Sequence, residues 1–105
     1  MKTAVINTAV IGANTIVAAV AGKRIRLLNY TIVVGGTVIV TWKSAATNLS
    51  GPMPMVANDS LSASAGESMP VGMVPLMQTN TGEALVLDLS TAVQVSGHLT
   101  YYEFA

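Results

Sequence analysis

The residues able to do chemistry are few and scattered along this chain. His98 is the only histidine and cysteine is absent, so the chain offers no disulfide, thiolate metal site or cysteine nucleophile. His98 lies in a predicted strand among serine and threonine residues, whereas a catalytic base belongs in a cleft beside its nucleophile. We therefore interpret His98 as an exposed or interface residue.

The acidic residues form no catalytic pattern either. They are Asp59, Glu67, Glu83, Asp88 and Glu103. A glycosidase needs two carboxyl groups facing each other across a bond, and no pair is close in the sequence, although strands can bring distant residues together. The stretches 58–60 and 80–83 offer too few oxygen ligands for a calcium loop. The sequence therefore predicts a protein that is not an enzyme and that uses no cofactor and no metal.

Composition indicates one folded domain whose surface is covered by other protein. Of the 105 residues, 51 % are hydrophobic and 10 % are charged, with a formal net charge of zero, against about 25 % charged in an average domain. Such a chain is too apolar for disorder and too neutral for nucleic acid, because phosphate binding needs an excess of basic residues. Only Lys23, Arg24 and Arg26 cluster, which we interpret as a polar strand start. No apolar run approaches the roughly 20 residues of a membrane span.

The pattern of apolar residues predicts strands rather than helices. Val, Ile and Thr alternate with polar residues at a period of two, and turn residues interrupt them often. Arg24 to Val34 is predicted as a long strand covered on both faces near its end. Gly35-Gly36 is predicted as a two-residue hairpin turn to Thr37–Lys43, a strand that directs Val38, Val40 and Trp42 to one face.

Further strands are predicted at both ends of the chain. Their ranges are 4–10, 15–21, 73–79, 84–89 and 93–104, with turns at 12–14, 21–23 and 80–82. Gly97 is predicted to mark a bulge or a close contact. Seven to nine short strands favour an all-β fold, an antiparallel β-sandwich or a barrel, with residues 1–105 as one domain. The pattern alone does not separate a jelly roll from an immunoglobulin-like sandwich or a closed barrel.

Residues 44–72 are predicted as a long ordered loop, with short strands allowed at 53–57 and 60–65. Five of the six methionines fall in or beside this loop: Met53, Met55, Met69, Met73 and Met77. Methionine fills irregular contact surfaces because its side chain is flexible and polarizable. These methionines either pack the loop onto the core or form an interface with a subunit or a partner.

Several runs resemble small virion proteins of tailed bacteriophages. They are Lys23-Arg24-Ile25-Arg26-Leu27-Leu28, Val38-Ile39-Val40-Thr41-Trp42-Lys43-Ser44, Leu49-Ser50-Gly51-Pro52-Met53-Pro54, Gly82-Glu83-Ala84-Leu85 and Val93-Gln94-Val95-Ser96-Gly97-His98-Leu99-Thr100-Tyr101. The resemblance implies a jelly-roll-like β-sandwich, commonly a homotrimer, that decorates or cements a capsid. Its partners would be copies of itself and the major capsid protein or another virion protein. Its location would be the virion, after synthesis in the host cytoplasm.

Two further expectations complete this hypothesis. Residues 1–12 are predicted as an N-terminal arm or as a strand exchanged between subunits. The competing role is a tail or fibre component, a recognition module for cell-surface carbohydrate. That role predicts an exposed aromatic side chain, Trp42 or Tyr102, in a shallow groove, although the alternation places Trp42 on a buried face.

Overall fold

The computed structural model describes residues 2–64 and 76–104. Within these residues the chain forms ten β-strands and no helix, so no helix there is long and apolar enough to cross a membrane. The strands are β1 (Lys2–Thr8), β2 (Gly12–Val17), β3 (Arg24–Val34), β4 (Val38–Ser44), β5 (Thr47–Asn48), β6 (Met53–Met55), β7 (Ser60–Ser64), β8 (Met77–Gln78), β9 (Leu85–Leu89) and β10 (Val95–Phe104).

The strands form two antiparallel sheets that pack face to face. Sheet 1 has the order β1-β10-β3-β7, and β8 also pairs with β3. Sheet 2 has the order β2-β9-β4-β5, and β6 also pairs with β4. The predicted all-β sandwich is therefore confirmed. The number of strands exceeds the predicted seven to nine because it includes β5 and β8, which have only two residues each.

The strand order is that of a jelly roll. Without β5 and β8, the first strand pairs with the last, β2 with β9, β3 with β7 and β4 with β6. The chain thus folds as one long antiparallel ribbon whose successive pairs fall alternately in the two sheets, which is the double Greek-key arrangement. This order separates the jelly roll from the other two folds that the sequence left open.

The core lies between the sheets and is almost entirely aliphatic. The alternation predicted for β4 is confirmed, because Val38, Val40 and Trp42 are buried in the core, beside the inward-facing leucines of β9 in the same sheet. Trp42 of sheet 2 meets Tyr30 of sheet 1 edge to face, with ring centroids 5.1 Å apart. Such a pair adds about 0.5–1.5 kcal/mol to the burial of the two rings.

A bulge in β3 shifts its side-chain pattern. Thr100 pairs with Asn29 and Tyr101 with Leu27, so Leu28 has no partner in β10. The side chains that point into the core therefore change from odd-numbered to even-numbered positions. Before the bulge they are Ile25 and Leu27, and after it they are Tyr30, Ile32 and Val34. The prediction that both faces are covered near the end of the strand is wrong, because Val33 is 45 % exposed.

Gly35-Gly36 does not close a hairpin, which corrects the sequence prediction. β3 and β4 belong to different sheets, so residues 35–37 carry the chain across the end of the sandwich. Gly35 N donates to Gln94 O at 2.8 Å, and a Cβ on Gly36 would lie 2.8 Å from Val93 Cγ1. Glycine is needed here for this close approach to the 91–94 connection rather than for a tight turn.

The predicted turn at residues 12–14 is also wrong. Gly12, Ala13 and Asn14 lie in β2, and the chain reverses over residues 9–11 instead. Asn14 stabilises that reversal from inside the strand, because its Nδ2 donates to Val10 O at 2.8 Å and to Gly12 O at 3.0 Å. The turns at 21–22 and 81–82 are confirmed.

The predicted N-terminal arm, 1–12, and the predicted long loop, 44–72, both contain strands. Within 1–12, β1 pairs with β10 of the same chain, and its one fully buried side chain is Ile6. The described part of 44–72 contains β5, β6 and β7, so the strands allowed at 53–57 and 60–65 are present in shorter form. Residues 65–72 lie outside the described part.

Gly97 lies against the backbone of β3, as the sequence predicted. A Cβ at this position would overlap Thr31 O, and the backbone φ of +156° is one that side chains rarely adopt. β10 is the strand between β1 and β3, so it cannot move away from Thr31 without opening sheet 1.

We expect Gly97→Ala to lower the free energy of unfolding by roughly 2–4 kcal/mol, because it adds backbone strain to an overlap with the neighbouring strand. Urea denaturation followed by Trp42 fluorescence measures this change. The matched control is Gly51→Ala, since nothing lies within 4 Å of a Cβ there. Equal stability of the two variants would contradict the close packing of β10 on β3.

Candidate interaction surfaces

The sandwich has two lateral margins, and each margin carries an edge strand from each sheet. One margin is formed by β1 and β2, and the other by β6 and β7 with the short strands β5 and β8. Among the described residues, each of these edge strands pairs on one side only. An open strand edge offers backbone donors and acceptors to another chain, so both margins are candidates for assembly.

The β6–β7 margin contains an apolar groove of about 400 Å³. We call it the edge groove; its lining is Pro52, Met53, Pro54, Met55, Asp59, Ser60 and Leu61. It spans from the edge of sheet 2 to the edge of sheet 1, because β6 belongs to one sheet and β7 to the other. Its walls are mostly methionine, proline and leucine, a lining that suits an apolar side chain.

The turn between β6 and β7 is fixed to the end of β3. Asn58 N donates to Val34 O at 2.8 Å, and Val34 N donates to Asp59 O at 3.0 Å. Asp59 Oδ2 also accepts from Val56 N at 2.9 Å, which closes the turn. Val56 is therefore held at the surface, 58 % exposed, beside a groove whose shape is set before any partner binds.

The methionines predicted as an interface are divided between the core and the surface. Met55 is buried in the core, whereas Met53 is half-buried on the groove wall. Met77 is half-buried in β8 and packs against the core. Met69 and Met73 lie outside the described residues. The interpretation that these methionines pack onto the core is confirmed for Met55 and Met77, and the interface interpretation stays a prediction.

The opposite margin exposes apolar side chains. Val5 on β1 is 76 % exposed, and Val10 and Ile11 in the β1–β2 loop are 63 % and 62 % exposed. The loop is ordered by Asn14, whose Oδ1 also accepts from Thr8 Oγ1 at 2.6 Å. Val10 and Ile11 are neighbours on a fixed loop, and adjacent exposed aliphatic side chains of this kind suit a surface that another protein covers.

One end of the sandwich gathers most of the basic residues. Lys2, Lys23, Arg24 and Arg26 lie there, around the last residues of β10. We call this region the basic end. The prediction that 23–26 is a polar strand start beside a turn is confirmed, because β3 begins at Arg24 after the turn at 21–22.

The groups considered for catalysis lie apart from one another. His98 is exposed on the outer face of sheet 1, between Val5 and Thr31. Asp88 forms a 3.0 Å salt bridge with Lys43 on sheet 2, whereas Glu103 lies 3.3 Å from Lys2 at the basic end. Across 2–64 and 76–104, no cluster of three or more His, Asp or Glu side chains could hold a metal ion. Glu67 lies outside these residues.

Glu83 supports a loop rather than a reaction. Its Oε1 accepts from Ser44 Oγ at 2.6 Å and from Asn80 Nδ2 at 3.0 Å. Ser44 is fully buried and its Oγ also accepts from Asn80 N at 2.9 Å, so the three residues tie the 80–84 turn to the end of β4. The hydrogen bonds from Ser44 and then Asn80 lower the pKa of Glu83, because they stabilise its ionised form.

The two aromatic residues named for carbohydrate recognition differ in exposure. Trp42 is fully buried, as the alternation predicted, and its Nε1 has no hydrogen-bond partner in the described part of the chain. Tyr102 is 39 % exposed on β10 at the basic end. The sequence did not single out this end as a site, because Lys2, Lys23 and Tyr102 are far apart along the chain. The local signals were the cluster of Lys23, Arg24 and Arg26 and the aromatic candidate Tyr102.

No known protein family, curated protein or solved structure matches this chain. The resemblance to phage virion proteins therefore stays a prediction.

We expect Glu83 to make stability depend on pH in the acid range. Its pKa is lowered in the folded state, so its contribution is present above the unfolded value near 4.5 and is lost as the pH falls through the folded value. Glu83→Gln should therefore lower the urea midpoint at neutral pH, and this deficit should shrink well below pH 4.5. A deficit that stays the same at both pH values would contradict this role.

Proposed function

We propose that the chain is a structural virion protein, a capsid decoration or cement protein that acts as a homo-oligomer rather than as an enzyme. The observation that carries the proposal is the pair of unlike surfaces on opposite margins of one sandwich. The β6–β7 margin has an apolar groove, and the β1–β2 margin has exposed aliphatic side chains on an ordered loop.

The two margins suit a head-to-tail contact between copies. The turns next to both surfaces, 9–11 and 56–59, lie at the same end of the strands, because Thr8 pairs with Val95, Val95 pairs with Val34, and Asn58 binds Val34. A copy rotated about an axis parallel to the strands would bring Ile11 toward the groove of its neighbour. A rotation of one third of a turn closes a ring of three copies, which is the homotrimer that the resemblance implies.

The composition also supports an assembled state. A chain with 10 % charged residues and no net charge has little polar surface to keep a monomer apart from its copies. The outer face of sheet 1 continues this pattern, since its central rows carry serine, threonine and asparagine together with Val5, Val33 and His98, rather than lysine or glutamate. Jelly rolls are common among viral capsid proteins, and this analogy of fold supports the proposal.

We expect light scattering after size exclusion to give a mass near three times 10.8 kDa that persists on dilution. Ile11→Lys and Met53→Lys should each reduce this mass toward one chain, because each places a charge in the proposed contact. The matched control is Val20→Lys, which changes a side chain that is also exposed but lies beside the basic end. A parent protein that is monomeric at every concentration, or variants that all stay trimeric, would overturn the proposed contact.

We expect the trimer to bind assembled capsids of the phage that encodes it more tightly than it binds free capsid protein. A cement protein contacts several neighbouring capsid subunits at once, and its affinity rises through these linked contacts. Co-sedimentation with emptied capsids, compared with pull-down of unassembled subunits, measures this difference. Equal binding to both forms would contradict a cementing role.

A further inference from the structure

Sheet 1 has two open edges, and neither carries the features that usually protect an edge strand. Within 2–64 and 76–104, β1 pairs only with β10, and β7 pairs only with β3. β7 contains only serine, leucine and alanine, and β1 has no charged residue after Lys2. Lysine, proline and bulges are the usual means by which an edge avoids pairing with another chain. Sheet 2 differs, because its edge strand β6 has three residues and one of them is Pro54.

The hydrogen bonds at the end of β3 show which backbone groups of β7 face the open edge. The N–H and C=O of Val34 both bond the turn at 58–59, so Val34 directs its backbone groups toward the side of β7. Backbone groups alternate along a strand, so Ile32 also faces β7, where its partner is Leu61. The N–H and C=O of Ser62, the next residue, therefore point away from β3.

The same alternation gives the free backbone groups of β1. Gly35 N bonds the 91–94 connection, so the odd-numbered residues at this end of β3 face β10. When the register is followed through β10, Gly97 faces β1 and pairs with Ile6. The N–H and C=O of Val5 therefore point away from β10, to the open edge of the sheet.

The free backbone groups of the two edges lie in the same rows of the sheet. The row that contains Val5 crosses β10 and β3 and ends at Ser62, and the row that contains Asn7 ends at Ser60. A rotation about an axis parallel to the strands leaves each residue at its own height, so Val5 of one copy meets Ser62 of the next. β1 and β7 begin at opposite ends of the sandwich, so the two strands are antiparallel, and residues facing the gap can exchange two hydrogen bonds.

We propose that β1 of one copy adds to β7 of the next copy, so that sheet 1 continues from chain to chain. This inference rests on the head-to-tail contact of the proposed function, and it names the backbone groups that form the contact. The N–H and C=O of Val5 bond the C=O and N–H of Ser62 in the neighbouring copy. The partner is a second copy rather than an unrelated peptide, because the matching of the rows follows from the register of this chain.

The side chains of the two strands suit this addition. Ala4, Leu61 and Ala63 pack against the core but are only partly buried, and each lies on an edge strand. In the joined sheet Ala4 lies opposite Ala63, and Leu61 lies opposite the buried Ile6 of the neighbour, so both margins of the core are covered. On the outer face, the serines of β7 leave room beside Val5, which is 76 % exposed in the single chain.

The experiment is a disulfide cross-link between the two edges of neighbouring copies. The chain has no cysteine, so the full-length variant Val5→Cys/Ser62→Cys carries the only thiols. Within one chain these positions are three strand spacings apart, roughly 14 Å, which is too far for a disulfide. Opposite residues of a hydrogen-bonded antiparallel pair have Cα atoms about 5.5 Å apart, within disulfide range. We therefore expect mild oxidation to give a covalent trimer on a non-reducing gel.

Three variants serve as controls for this cross-link. Val5→Cys/Ser60→Cys moves one thiol two residues along β7, to a diagonal separation of about 7–8 Å. We expect this variant to cross-link about tenfold more slowly, because the distance exceeds the usual range of a disulfide. Val5→Cys alone and Ser62→Cys alone should stay single chains. All of these side chains are exposed, so the fold is kept.

Amide hydrogen exchange tests the backbone bonds without changing either edge. The Val5 and Ser62 amides should exchange about tenfold more slowly in the parent protein than in Ile11→Lys, which we expect to be monomeric. The Ile6 amide faces β10 of its own chain, so it is the internal reference and should exchange at a similar rate in both proteins.

Four results would each overturn the inference. Equal cross-linking rates of the Ser60 and Ser62 variants would contradict the register, and equally fast cross-linking of Val5→Cys alone would assign the β1 edge to a symmetric contact. A parent trimer with neither the cross-link nor slowed exchange at Val5 and Ser62 would overturn the strand addition, whereas the contact of Ile11 with the edge groove would stand. A monomeric parent would overturn both proposals, so the solution mass separates the two failures.

Discussion

The contact between Trp42 and Tyr30 joins the two sheets, and the surfaces of the protein depend on that join. Each ring comes from an inner strand of its own sheet, so the pair fixes β3 and β4 face to face across the core. Once these strands are fixed, their outer edges receive β7 and β6, and the groove between the two follows from the distance between the sheets. The surface proposed for assembly is thus a consequence of how the core is packed.

Local patterns predicted the strands well, but they could not predict the partners of those strands. The bounds of β3 and the buried face of β4 follow from alternation, which is a property of neighbouring residues. Pairing joins residues far apart in the chain, so Gly35-Gly36 looked like a hairpin although the chain there crosses between sheets. The reversal at 9–11 was misplaced because Asn14 stabilises it from within a strand, and the parity change at Leu28 needs the register with β10 to be visible.

The interaction surfaces were predictable only where their residues are close in sequence. The methionine segment was found from composition, and two of its members, Met53 and Met55, line the groove. Three of the four basic residues of the basic end cluster at 23–26 in the sequence, whereas Lys2 and Tyr102 join them only in the folded chain. Acidic residues elsewhere in the chain balance the basic residues of this end, so the net charge is zero although the end itself is electropositive. In a ring built through the margins, the basic ends of all copies would lie on one side.

The position of β10 has a consequence for how the chain acquires its structure. This strand lies between β1 and β3, so β1 cannot join sheet 1 before the last described strand has left the ribosome. The first strand must wait with an open edge while nearly the whole chain is synthesised, and closing so long a loop costs entropy before any contact compensates for it. Folding dominated by such distant pairing is slow. The same exposed β1 that suits contact with a neighbouring copy is therefore also where premature association of nascent chains would begin.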